Sequence, residues 1–208
     1  MKPNKSIYIQ NHRFKEKDVQ PHEFYSTHPN SVETFLNYGF RGHYLDKKDV
    51  LIWEPACGKG NISRTLVKNG FNVISSDLID RYTHLTDIGQ IYEPASFFDF
   101  ETIDPNVTCI MTNPPFSMAE DFIRHAYEIG NPDMWIIMYL KLTFLEGKRR
   151  YLLFKDLPLE YVYVHSSRQG CSPGGATDFG NGGAVAYAWF MWRKEGSWTT
   201  ELKWLPPN

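Results

Sequence analysis

A chain of 208 residues, 42% hydrophobic and 15% aromatic, can bury the core of one globular domain and is neither disordered nor fibrous in composition. The formal net charge of −2 excludes a global pull toward nucleic acid or anionic membrane, so any such contact has to come from a local patch. Cys57, Cys109 and Cys171 are widely spaced and odd in number, which argues against a disulfide framework or a metal site and for a reduced, cytoplasmic setting.

Residues 1–21 are polar and mixed in charge and read as a loosely ordered arm ahead of one domain over 22–208. No signal-type apolar segment opens the chain and no run reaches transmembrane length, so a soluble protein without membrane contact is expected. In "PNSVETFLNYGF", Asn30 and Glu33 have capping-box spacing before a short amphipathic helix. "DVLIWEPACGKGNISRTLVKNGFNVISSDL" follows as strand, Gly-rich turn, helix, turn and strand, with Gly70 ending the helix. "ASFFDF" is the expected third strand and Val107–Met111 the fourth. "MAEDFIRHAYEIG" has helical periodicity, and "MWIIMYL" suits a central parallel strand. A helix over roughly Gly147 to Lys155 and the strands "EYVYVHS" and "GAVAYAWFMWR" complete a doubly wound α/β pattern. Between the last two strands, Gln169 to Ala184 holds six glycines, which predicts a mobile loop, either a plain connection or a lid.

Two motifs carry chemistry. "EPACGKG", Glu54 to Gly60, opens a helix after the first strand, and its glycines let the backbone approach a ligand. Asp77 lies 19 residues beyond Gly58, at the end of the second strand, from which a carboxylate grips ribose hydroxyls. No Ser or Thr follows Gly58-Lys59, and Ser63 stands where a dinucleotide loop has its third glycine. An adenosine-like ligand without a pyrophosphate remains. The second motif is "TNPPFS", where two prolines hold Asn113 and Pro114 extended at the mouth of a strand. Its residues alone allow either a strand-ending turn or a rigid polar site.

Together, Glu54-Pro55-Ala56-Cys57-Gly58-Lys59-Gly60 and Asn113-Pro114-Pro115-Phe116 resemble the paired signatures of S-adenosylmethionine-dependent amino-methyltransferases. The particular likeness is to the DNA adenine-N6 family in its gamma motif order. "LKLTFLEGKRR" and the Trp-rich late strand are similar to compact phage and prophage forms, and the resemblance spans about Phe24 to Arg193. It implies a Rossmann-like domain with a mostly parallel seven-stranded sheet and an antiparallel last strand. It also implies S-adenosyl-L-methionine held by Tyr25 and Thr27 of "FYSTHP", by Glu54, Pro55, Ala56, Gly58 and Gly60, by Asp77 and Leu78, and by Asp99 and Phe100 of "FFDF" at the adenine. Asn113, Pro114, Pro115 and Phe116 become the catalytic set: the Asn113 oxygen and the Pro114 carbonyl accept the hydrogens of the target amine, and Phe116 stacks on a base drawn out of the duplex. The resemblance implies DNA as partner, N6-adenine methylation without a metal, and the cytoplasm of a bacterium or phage-infected host. The same chemistry serves RNA adenine or protein glutamine, and a module that binds cofactor without catalysis is the alternative from another class. The bulky sequence-reading domains of that family have no room here. Lys141, Lys148, Arg149, Arg150 and Lys155 follow the fifth strand, as phosphate contacts or as a solvated helix face, with Arg168 near the Gly-rich loop.

Overall fold

Val107–Thr112 and Trp135–Lys141 are nearly continuous apolar runs, and both become strands buried on two faces. The computed structural model describes residues 23–40, 49–169, 171–173 and 185–207. The expected N-terminal arm and most of the Gly-rich segment therefore lie outside the described residues. The elements are β1 (Tyr25–Thr27), α1 (Pro29–Tyr38), β2 (Leu51–Glu54), α2 (Asn61–Lys68), β3 (Asn72–Ser75), β4 (Gln90–Ile91), β5 (Val107–Thr112), α3 (Ala119–Ile129), β6 (Trp135–Lys141), α4 (Lys148–Asp156), β7 (Leu159–His165), β8 (Cys171–Pro173), β9 (Tyr187–Arg193) and β10 (Glu201–Leu205).

Eight strands form the main sheet in the order β10-β7-β9-β6-β5-β2-β3-β4. All neighbours run parallel except β9, which is antiparallel to both β6 and β7. Seven of these strands make the expected mostly parallel sheet with its antiparallel late strand. The eighth, β10, adds to the edge beside β7 and was missed because its exposed residues alternate with charges. Side chains alternate along β6. Ile136, Met138 and Leu140 join one core layer with α3, while Trp135, Ile137 and Tyr139 join the other with α1 and α2. β1 and β8 form a separate antiparallel ribbon with Thr27 opposite Cys171, so three residues of the expected Gly-rich loop are strand.

Two local expectations are corrected. The α1 N-cap is His28, whose Nδ1 accepts the Asn30 N–H at 3.0 Å, with Pro29 opening the helix; Glu33 instead meets Lys68 Nζ at 3.0 Å. "ASFFDF" is not a strand. Ser96 caps a 3₁₀ turn at Phe97–Asp99, and the third strand position is taken by β4. The strand order reverses between β2 and β5, which puts a crevice at the carboxyl ends of β2, β3 and β5.

Candidate active site

That crevice is an open cleft whose empty space, including the solvent at its mouth, is about 970 Å³. Its walls are residues 23–27 from β1, the turn after β2 into α2, Asp77 to Arg81 after β3, Ser96 to Phe98, and Asn113 with Pro115 after β5.

Asn113 is fixed by the segment that crosses above it. Its Nδ2 donates to the Tyr25 carbonyl and to Thr27 Oγ1, each at 3.0 Å. A carbonyl only accepts, so these partners assign the nitrogen and leave Oδ1 as the other end. Oδ1 is buried and has no hydrogen-bond partner. A buried acceptor without a donor is costly, so this oxygen is a candidate partner for a donor brought by a ligand. The same segment ties down both flanking turns. Glu23 accepts from the Ser117 N–H at 3.2 Å and from the Ser117 hydroxyl, and Asn61 Nδ2 donates to the Thr27 carbonyl at 3.1 Å.

On the opposite wall, Asp77 accepts from the Gly58 N–H at 2.8 Å and the Ile79 N–H at 3.0 Å, with Arg81 Nη1 3.8 Å away. Burial raises its carboxyl above the usual range despite these bonds. Each carboxylate oxygen retains acceptor capacity for a ligand hydroxyl. Glu54 is more deeply buried, and burial pushes it up to about 8. Its Oε2 meets the Ser63 N–H at 2.8 Å and the Ser63 hydroxyl; Ser63 Oγ lies 2.6 Å from Ser75 Oγ, which donates to the Ile88 carbonyl at 2.7 Å. Two hydroxyl hydrogens cannot serve the three oxygen contacts from Glu54 to Ile88, and a protonated Glu54 supplies the third. Burial also raises the Cys57 thiol, and that of Cys171 up to about 12, so neither is a ready nucleophile.

Of the residues singled out in the sequence, Tyr25, Thr27, Glu54, Pro55, Ala56, Asp77, Leu78, Asn113 and Pro115 line the cleft. Gly58 and Gly60 do not line it, and their crowding comes from the protein itself. Both have positive φ, and an added Cβ would come within 2.3 Å of the Phe24 ring or 2.5 Å of the Ile88 side chain. Asp99 is exposed and outside the lining, while Phe100 stacks edge-on against Trp53 at 4.8 Å; the preceding Ser96, Phe97 and Phe98 face the cleft instead. The 3₁₀ turn rotates the segment relative to the strand that was expected. Pro114 is buried beside the site. Phe116 lies next to the cleft, 5.2 Å from Tyr25, 6.0 Å from Tyr187 and 4.4 Å from Lys141 Nζ. Sequence reasoning missed Phe24, Asn61 and Arg81, whose guanidinium covers the Phe24 ring at 4.6 Å. Their places depend on β1 folding back, which no local pattern signals.

The basic residues diverge. Arg150 turns inward, its Nη1 donating to the Thr143 and Glu146 carbonyls at 3.1 and 2.6 Å and its guanidinium covering Phe144. Lys148, Arg149 and Arg168 are exposed. Among the described residues no group of three or more His, Cys, Asp or Glu could hold a metal, and no helix is long and apolar enough to cross a membrane.

No family model matches the sequence, and no curated protein matches it. Solved structures do match its shape. A Pyrococcus horikoshii protein described as a candidate RNA methyltransferase aligns with a TM-score of 0.61 at 13% identity, over 90% of this chain and 95% of its own. A candidate class I S-adenosylmethionine-dependent methyltransferase of Listeria monocytogenes aligns at 0.60 and 14% identity, over 97% and 76%. Magnesium protoporphyrin IX methyltransferase of Synechocystis, with bound S-adenosylmethionine, aligns at 0.53 and 11% identity, over 80% and 79%. The chain has the Rossmann-like fold of these methyltransferases.

Proposed function

We propose that the protein transfers the methyl group of S-adenosylmethionine to the exocyclic N6 amine of adenine in DNA, within a single domain over residues 22–208. The observation that carries this reading is the buried, unpartnered Oδ1 of Asn113, held by its own Nδ2 at the rim of the cleft. The cleft fits the cofactor's chemistry. Asp77 stands where ribose hydroxyls need an acceptor, and Phe97, Phe98 and Leu78 offer apolar walls to an adenine. On this reading Tyr25 and Thr27, which also line the cleft, take the methionine end. When bound, S-adenosylmethionine supplies an electrophilic sulfonium methyl.

An exocyclic amine conjugated to an aromatic ring is a weak nucleophile, because its lone pair is delocalised. Asn113 Oδ1 and the Pro114 carbonyl accept its two hydrogens, draw the nitrogen toward a pyramidal shape and turn the lone pair outward. Because β1 and the two prolines fix these acceptors in advance, little reorganisation remains for the reaction. Phe116 offers its ring to the base, which has to leave the stack to reach the cleft. Tritiated methyl transfer from S-adenosylmethionine to DNA, RNA and protein in parallel tests the reading. Label in DNA, recovered as N6-methyladenine, is the expected result, and label confined to RNA or protein overturns the acceptor.

A further inference from the structure

Lys141 ends β6 at the same sheet edge as Asn113 and pairs with Tyr187 of β9. Its ammonium lies 4.4 Å from the centre of the Phe116 ring, a cation–π distance. Tyr25 and Tyr187 flank the same ring at 5.2 and 6.0 Å, so the phenyl group is already enclosed by two aromatics and a cation. Lys141 as a whole is half-buried, and among the described residues no carboxylate lies within ion-pair distance of its ammonium. A cation held over a ring quadrupole exchanges readily for a formal anion, since charge-assisted hydrogen bonds are the stronger contact.

We infer that Lys141 selects the acceptor: its ammonium covers the Phe116 ring until an anionic linkage beside a planar acceptor draws it away, so the site favours a base carried on a phosphodiester backbone over an uncharged planar amine. This rests on the reading of Asn113 as the acceptor-binding group, and it gives Lys141 a part separate from the exposed cations of α4. The ring and the linkage compete for one ammonium, and the exchange uncovers the stacking surface when a backbone is present to anchor the base. A neutral acceptor meets a covered ring and gains no compensating contact. Lys141 thereby discriminates among acceptors without touching the transferred methyl.

The test crosses the enzyme's charge with the substrate's. Wild type, Lys141→Met and Lys141→Arg are compared on an adenine-containing oligonucleotide and on the same oligonucleotide with neutral methylphosphonate linkages flanking the adenine. Wild type is expected to lose about tenfold in kcat/KM on the neutral linkage. Lys141→Met should treat the two within about twofold, and Lys141→Arg should retain the preference. Circular dichroism and S-adenosylmethionine affinity unchanged in Lys141→Met exclude a folding defect. A Met variant that keeps the full preference, or a wild type indifferent to the linkage, overturns the inference alone. A wild type that methylates no oligonucleotide overturns the acceptor reading and this inference with it.

Discussion

The side-chain amide of Asn113 has one end tied and the other without a partner, the arrangement a directional acceptor of the proposed reaction needs. Asn113→Ala is expected to leave S-adenosylmethionine affinity within about twofold and to lower turnover by roughly two orders of magnitude, the usual effect of deleting one preorganised polar partner. Calorimetry and single-turnover methylation measure the two quantities separately. Glu54 makes a different prediction. Burial raises it from 4.5 to about 8, so over that interval the folded chain keeps a proton that the unfolded chain has released. Stability then falls as pH rises through the window, by up to about 1.4 kcal/mol per pH unit. Glu54→Gln has no proton to lose and should flatten that slope, as urea unfolding at about pH 5.5 and about pH 7.5 would reveal. Asn113 and Glu54 were legible in the sequence because each sits in a motif that ends a strand. Asp99 was misjudged because side-chain direction follows backbone trajectory, and Ser96 bends that trajectory into a 3₁₀ turn.

β1 is only three residues long, yet its backbone and side chains meet Asn113, Asn61 and β8. Thr27→Val removes one of the two acceptors of Asn113 Nδ2 at nearly constant volume, and turnover should drop about tenfold with the fold intact by circular dichroism. A wild-type rate would show that the Tyr25 carbonyl holds the amide alone. In α4, Lys148 and Arg149 are exposed while Arg150 turns inward. Lys148→Ala with Arg149→Ala should lower the slope of log affinity for DNA against log salt by about 2, if both meet phosphates. Arg150→Ala should leave that slope unchanged and cost about 1 kcal/mol of stability, because it releases the turn after β6. Helical periodicity located α4, but the two carbonyls that recruit Arg150 belong to a turn whose shape the pattern does not encode. The 3.6-residue period of α3 and the Gly70 stop after α2 were clear from sequence because apolar spacing and a positive-φ glycine are local signals.

At the scale of the whole molecule, alternating strands and helices were enough to foresee the doubly wound sheet, since parallel neighbours require crossovers and the buried strands are apolar on both faces. β4 escaped notice because Gln90 and Ile91 join the sheet only through pairing with β3, and β10 because its outer face keeps Leu202 and Trp204 exposed. A ligand site was expected at the ends of the strands that are β2, β3 and β5, and Tyr25 and Thr27 only through the resemblance; the pairing of β1 with a segment near the opposite end of the chain was not expected. Contacts between Asn113 and β1 span up to 88 positions, and the β1–β8 ribbon closes a far longer loop. Closing such a loop is entropically late, so local helices and the adjacent parallel strands should form first. During synthesis the walls after β2 and β3 can therefore emerge and fold while β1 still lacks its partner. The site becomes competent only after Cys171–Pro173 has left the ribosome, and a nascent chain stalled before that point, which also lacks β9 and β10, should hold only the parallel strands from β2 to β6 and lack its chemistry.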